Sequence, residues 1–152
     1  MPNEPLGELD HIGIAVKSVS EARRFFEDTL GARFLFEAEN AAAGYKLCEL
    51  DLRGLTIELL EPLGENSFLH KFLEKRGEGM HHLTFNVPEA KHKVAELKAQ
   101  GVRIVDETQW SERSYEAFIS PRSAHGVLIQ IGSGYPTLSN DPEWEKELRE
   151  RK

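Results

Sequence analysis

The sequence predicts an α+β fold built from two tandem βαβββ modules, each with an amphipathic helix covering one side of its four strands. Three pairs of similar residues lie 70 to 72 positions apart: His11 and His82, Gly31 and Gly101, and Gly54 and Gly126. A repeat at a nearly fixed period is the sequence signature of a duplicated structural unit. The predicted fold is therefore a single domain in which the second module repeats the first.

The first module is predicted to cover residues 8–60. Residues 9–16 alternate as a strand, with Ile12 and Ile14 on one face and His11 on the other. Ser18 or Ser20 is suited to cap a helix that ends at Gly31. Three further strands are predicted, at residues 32–38, 44–51 and 54–60. The last two are joined by a hairpin turn that carries a glycine.

A helical connector is predicted at residues 61–79, with Asn66 or Ser67 as its cap. Its apolar side is formed by Phe68, Leu69, Phe72 and Leu73. The second module, residues 80–132, then repeats the strand–helix order. Its predicted elements are a strand at 80–87, a helix at 88–100 and strands at 102–105, 114–120 and 126–132. A polar tail, residues 133–152, follows, with a short helix beginning at Asp141.

Composition excludes several classes of function. The net charge of −7 argues against nucleic-acid binding, which needs a basic surface. No apolar run is long enough to cross a bilayer, so no membrane partner is expected. The N-terminus shows no secretory signal, and a cytoplasmic location is expected. Cys48 is the only cysteine and lies in an alternating strand pattern, which predicts a core position rather than a nucleophile.

Four side chains that can bind metal occupy matching positions in the two modules. They are His11 and Glu58 in the first, and His82 and Gln130 in the second. All four alternate onto the strand face that the helices leave uncovered, so a pseudo-twofold pairing of the modules would bring them together. Imidazole and oxygen donors suit a divalent ion. The alternative is a buried polar network, but an ionised carboxylate buried without a nearby cation is costly.

The chain resembles the vicinal-oxygen-chelate superfamily, which includes glyoxalase I, and within it the methylmalonyl-CoA epimerases. The resemblance runs from about residue 8 to residue 132 and rests on four segments. They are LDHIGIAV at 9–16, IELLEP at 57–62, KFLEKRGEGMHHL at 71–83 and SPRSAHGVLI at 120–129.

The resemblance implies a cupped eight-stranded mixed sheet, a homodimer and one divalent ion per chain, which would be Co, Mn, Ni, Zn or Mg. It implies proton transfer at the carbon α to a thioester through a metal-bound enolate, on a small-molecule substrate such as an acyl-CoA. His11, Glu58 and His82 match the family's first three ligand positions, and Gln130 stands at the fourth. Glu58, the carboxylate among these matched ligand positions, is then the candidate catalytic residue.

Two positions depart from the epimerase pattern. Gln130 replaces a glutamate that is both ligand and acid/base, and Ala42 replaces the second acid/base carboxylate. Neither side chain takes up a proton at neutral pH. Two alternatives to an epimerase therefore stay open. One is another enzyme of the superfamily, such as a glyoxalase-type isomerase, a lyase or an Fe(II) dioxygenase, and the other is a small-ligand binding protein without catalysis.

Overall fold

Eight strands and three α-helices make up the chain in a computed structural model that describes residues 4–133. The strands are β1 (Glu8–Ala15), β2 (Arg33–Asn40), β3 (Tyr45–Leu52), β4 (Leu55–Pro62), β5 (Gly79–Asn86), β6 (Ile104–Gln109), β7 (Tyr115–Ile119) and β8 (Ile129–Ser133). The helices are α1 (Val19–Arg24), α2 (Leu69–Arg76) and α3 (Ala90–Ala99). The strands form one mixed sheet in the order β2-β3-β4-β1-β5-β8-β7-β6, which confirms the predicted α+β class.

Backbone contacts divide the described chain into two compact units. One contains residues 12–81, and the other contains residues 82–133 together with residues 4–11. The module boundaries drawn from the repeat stay a prediction. The short helix expected after Asp141 lies outside the described residues.

In the unit of residues 12–81, Ser18 is the N-cap of α1, and its Oγ accepts a hydrogen bond from the Glu21 backbone N–H at 3.3 Å. The helix continues as a π-helical segment, Phe25–Thr29, and Gly31 follows it at φ +74°. That conformation favours glycine. The core between helix and strands contains Val16, Val19, Ala32, Cys48, Leu50, Ile57 and Leu59.

Two element boundaries differ from the predictions in this unit. β2 runs on to Asn40, past the predicted strand end at residue 38, because its pairing with β3 continues to the Asn40–Tyr45 pair. The Asn40 Oδ1 then closes the turn by accepting from the Ala43 N–H at 3.0 Å. In the connector, Phe68 and not Asn66 or Ser67 stands at the N-cap of α2, and Ser67 Oγ accepts from the N–H of Leu69, the first helical residue, at 3.3 Å. Phe68, predicted to face inward, precedes the helix and is 47% exposed.

In the other unit, β5 and β8 pair in parallel, whereas β8, β7 and β6 pair in antiparallel order. The core beneath α3 contains Val87, Ala90, Val94, Tyr115, Ala117, Ile119 and Ile131. β8 begins at Ile129 rather than at residue 126, because residues 121–127 form tight turns that use their own backbone donors. The Gly126 N–H donates to the Pro121 carbonyl at 2.9 Å.

β6 also begins later than predicted. The Val102 N–H donates to the Leu97 carbonyl at 3.0 Å and closes the end of α3, so residue 102 does not join the sheet.

No helix of the described residues is long and apolar enough to cross a membrane. The cytoplasmic location stays a prediction.

Cys48 lies in the core of the unit of residues 12–81 and is 0% exposed, and burial raises the pKa of its thiol to about 12. A thiol with so little thiolate reacts slowly, so we expect labelling by a thiol reagent at neutral pH to be at least about 100-fold slower in the folded chain than in guanidinium. Time-resolved labelling with Ellman's reagent measures this, with Cys48→Ala as the blank. Equal rates in the two conditions would contradict the core assignment.

Candidate metal centre

Two buried histidines lie edge to face in one unit. His11 is carried by β1 and His82 by β5, and they are 3% and 5% exposed. Their ring centroids are 5.6 Å apart with an interplanar angle of 83°. The strand alternation explains this placement, because the flanking apolar residues Ile12 and Phe85 pack against the two helix-covered cores. The pairing of His11 with His82 predicted from the repeat is thus present in the structure.

The orientation of the His11 ring is set by two polar neighbours. Its Nδ1 donates to Asp10 Oδ2 at 2.7 Å, and its Nε2 lies 2.9 Å from Thr84 Oγ1. A carboxylate on one ring nitrogen commonly fixes the tautomer of a metal-binding histidine and directs the other nitrogen toward the ion. The Asp10 carboxylate therefore favours the tautomer with the proton on His11 Nδ1, in which Nε2 carries the lone pair that a metal ion could bind.

Glu58 supplies the carboxylate of the candidate site. It lies in the middle of β4, half-buried, on the strand face opposite the core residues Ile57 and Leu59. One potential ligand atom from each of His11, Glu58 and His82 lies within 4.8 Å of the other two. We call these three residues the His–Glu–His group. Two imidazoles and one carboxylate are donors that divalent first-row ions and zinc accept, so the residues present fit such an ion.

Gln130, the fourth predicted ligand, lies in β8 and is 8% exposed. The parallel register of β5 and β8 sets it beside Thr84, whose hydroxyl donates to Gln130 Oε1 at 2.7 Å. The Gln130 Nε2 donates in turn to Glu116 Oε2 at 2.8 Å. One hydroxyl thus joins Gln130 Oε1 to His11 Nε2, and the fully buried Thr84 connects two of the predicted ligands.

Two carboxylates at this face were missed from the sequence. Glu49, 2% exposed, lies directly opposite Glu58 in the pairing of β3 with β4. Glu116 alternates with the core residues Tyr115 and Ala117 of β7 and so faces the same way as Gln130. Counting back through the hairpin turn would have revealed Glu49, because the register of a tight hairpin is set by its turn. Glu116 needed only the period of two along β7.

His81 has a different environment from its neighbour. Its ring packs 4.8 Å from that of Phe72 and 5.7 Å from that of Phe68. Burial lowers the pKa of His81 to about 4, and the nearby Arg76 charge acts in the same direction. His81 is therefore neutral at physiological pH and belongs to an aromatic cluster, whereas His82 belongs to the His–Glu–His group.

Ala42 is exposed in the turn between β2 and β3. The carboxylates that precede it in β2, Glu37 and Glu39, pair across the strands with Cys48 and Lys46, on the helix-covered side. Glu37 is also engaged by Lys46 at 2.8 Å and by Arg23 at 3.3 Å.

Comparison with known proteins places these features in a family context. Residues 10–117 match the model of the Glyoxalase/Bleomycin resistance protein/Dioxygenase superfamily. An uncharacterized Bacillus subtilis protein, YqjC, is 37% identical over 83% of this chain and 91% of its own. The crystal structure of methylmalonyl-CoA epimerase from Mycobacterium tuberculosis is 34% identical, covers 93% of this chain and 97% of its own, and superposes with a TM-score of 0.79.

A second solved structure carries a ligand. It is a Streptomyces coelicolor methylmalonyl-CoA epimerase variant in complex with 2-nitronate-propionyl-CoA. It is 31% identical, covers 86% of this chain and 100% of its own, and has a TM-score of 0.76.

Proposed function

Because the chain belongs to the Glyoxalase/Bleomycin resistance protein/Dioxygenase superfamily, we propose that it is a divalent-metal-dependent epimerase or isomerase of the methylmalonyl-CoA epimerase type. Its reaction would move the proton on the carbon α to a thioester carbonyl. The observation that carries this proposal is the His–Glu–His group, with ligating atoms within 4.8 Å of one another. The epimerases among the similar structures support the substrate class, an acyl-CoA. The homodimer stays a prediction.

The ion would be held by His11, Glu58 and His82, with Gln130 Oε1 as a fourth, neutral donor. Its identity among Co, Mn, Ni, Zn and Mg is not fixed by these donors, since imidazole and carboxylate serve several of them. When bound, a divalent ion supplies Lewis-acid stabilisation of the negative charge that develops on the thioester oxygen. Because the His–Glu–His group contributes one carboxylate, the ion and this group together would carry a net positive charge suited to that oxygen.

Proton transfer itself requires a group that takes up and returns a proton near the α-carbon. We assign this catalytic role to Glu58 of β4 and Glu49 of β3, which lie opposite each other in the pairing of these strands. Gln130 has no part in it, since an amide does not take up a proton at neutral pH. Instead, its buried position and its bonds to Thr84 and Glu116 suit a group that binds and orients.

A second candidate function is Fe(II) oxygen chemistry. Two histidines and one carboxylate with open positions are the ligand set of many non-haem Fe(II) oxygenases, and the His–Glu–His group has that composition.

The third candidate function is ligand binding without catalysis, and the replacement of both family carboxylates by Ala42 and Gln130 favours it.

Solvent exchange separates these functions. We expect the Co²⁺- or Mn²⁺-loaded protein to incorporate deuterium from D₂O into the α-position of methylmalonyl-CoA, because proton transfer there passes through exchangeable groups. Mass spectrometry follows the label, and chelator-treated protein is the control. Metal-loaded protein that binds methylmalonyl-CoA without any exchange would refute the epimerase proposal. Oxygen uptake by the Fe(II)-loaded protein would favour the second function.

A further inference from the structure

The geometry points to Glu116 as a positioning residue that fixes which end of the Gln130 amide faces the metal ligands. This inference rests on the proposed metal site. It concerns a residue that neither the repeat nor the family resemblance singles out, and it explains how a glutamine can serve where a glutamate is usual.

An amide side chain has two different ends. Its oxygen can bind a cation, whereas its NH₂ group only donates hydrogen bonds and cannot. Rotation of the Gln130 side-chain amide by half a turn would exchange these ends at almost no steric cost. A glutamate has two equivalent oxygens and does not face this problem. A glutamine in a metal-binding position therefore needs a neighbour that selects one orientation.

Glu116 is that neighbour. Its carboxylate Oε2 accepts a hydrogen bond from Gln130 Nε2 at 2.8 Å, and a carboxylate oxygen cannot receive a hydrogen bond from the oxygen end of the amide. The opposite end, Oε1, is consequently turned toward Thr84, which donates to it at 2.7 Å. The same Thr84 oxygen lies 2.9 Å from His11 Nε2. The Gln130 oxygen and the His11 ligating nitrogen thus converge on one hydroxyl.

The fold keeps Glu116 in place for this role. β7 is an interior strand between β6 and β8. The neighbours of Glu116 on the other face of β7, Tyr115 and Ala117, are 6% and 0% exposed in the core under α3. A register slip would bury Glu116 in that core, so the packing holds its carboxylate beside Gln130.

A double-mutant cycle read by Co²⁺ binding tests the inference. The four proteins are the wild type, Glu116→Leu, Gln130→Leu and the double variant, and titration calorimetry supplies the dissociation constant for Co²⁺ alone. With Gln130 present, we expect Glu116→Leu to weaken binding by about 10- to 100-fold, the usual effect of losing a residue that orients a ligand. In the Gln130→Leu background, where no amide remains to be oriented, we expect the same substitution to change binding by no more than about threefold.

The cycle separates orientation from charge. Loss of the Glu116 negative charge is common to both backgrounds, so its direct attraction for the cation cancels in the ratio of the two effects. Thermal melting of the metal-free variants shows whether each folds, and visible absorption of bound Co²⁺ reports the ligand set. An equal effect in both backgrounds would overturn the positioning role. Wild-type protein that binds no Co²⁺ would instead refute the metal site and the proposed function.

Discussion

Replacement of His82 by alanine is expected to weaken Co²⁺ binding by at least about 100-fold, since loss of a residue that merely supports a ligand already costs about 10- to 100-fold. His82 is 5% exposed and belongs to the His–Glu–His group, so its replacement would remove one of the three proposed metal ligands. Titration calorimetry with Co²⁺ measures the effect directly and does not depend on any substrate.

His81→Ala is the matched control for this experiment. It removes the same side chain one position earlier in β5, where the ring packs against Phe72 and Phe68. We expect it to lower the melting temperature but to leave Co²⁺ affinity within about threefold of the wild type, since the ring belongs to none of the donors. A larger loss of affinity in His81→Ala than in His82→Ala would show that the ligand has been assigned to the wrong histidine.

The exchange of Glu116 and Gln130 is the second substitution with a large expected effect. In the variant Glu116→Gln, Gln130→Glu, the amide at 116 can donate to the carboxylate at 130, and Thr84 can still donate to that carboxylate. Both hydrogen bonds of position 130, the one with residue 116 at 2.8 Å and the one with Thr84 at 2.7 Å, can therefore still form. Position 130 gains a carboxylate that can bind the ion and take up a proton. We expect the rate of deuterium incorporation into methylmalonyl-CoA to rise at least about tenfold, a modest share of what general acid–base catalysis contributes.

The single variant Gln130→Glu serves as the control for this exchange. It sets two carboxylates against each other where Gln130 Nε2 now donates to Glu116 Oε2. We expect a lower melting temperature than in the exchanged pair, because like charges at this distance repel in a buried setting. If the exchanged pair folds, binds metal and incorporates deuterium no faster than the wild type, then the glutamine at 130 does not limit the reaction.

Much of the fold was accessible from the sequence because it depends on short-range patterns. The alternation of Ile12 and Ile14 along β1, the Ser18 cap and the helix-ending Gly31 are local signals, and the structure contains each of them. The repeat then extended these signals to the second half of the chain. It predicted correctly that Ile57 and Leu59, like Ile129 and Ile131, face the helices.

Element boundaries were less accessible because hydrogen-bond competition decides them. β8 begins at Ile129 because the preceding residues donate to one another within tight turns. β2 continues to Asn40 because its partner β3 still offers pairing groups there. Phe68 has the apolar character of a helix-buried residue, yet it precedes α2 and remains 47% exposed. Periodicity alone does not show where the backbone changes partner.

The sequence by itself predicted His11, Glu58 and His82 as candidate ligands, because a duplicated strand pattern marks equivalent positions in the two modules, and their role as ligands stays a prediction. The roles of Glu49, Thr84 and Glu116 were decided only by the tertiary structure. No local pattern in its own strand distinguishes any of these residues, and each is recognised by its partner on a neighbouring strand. Glu49 lies opposite Glu58, whereas Thr84 and Glu116 both form hydrogen bonds with Gln130. Strand register sets these partners, and in the parallel pair of β5 and β8 no local turn encodes it.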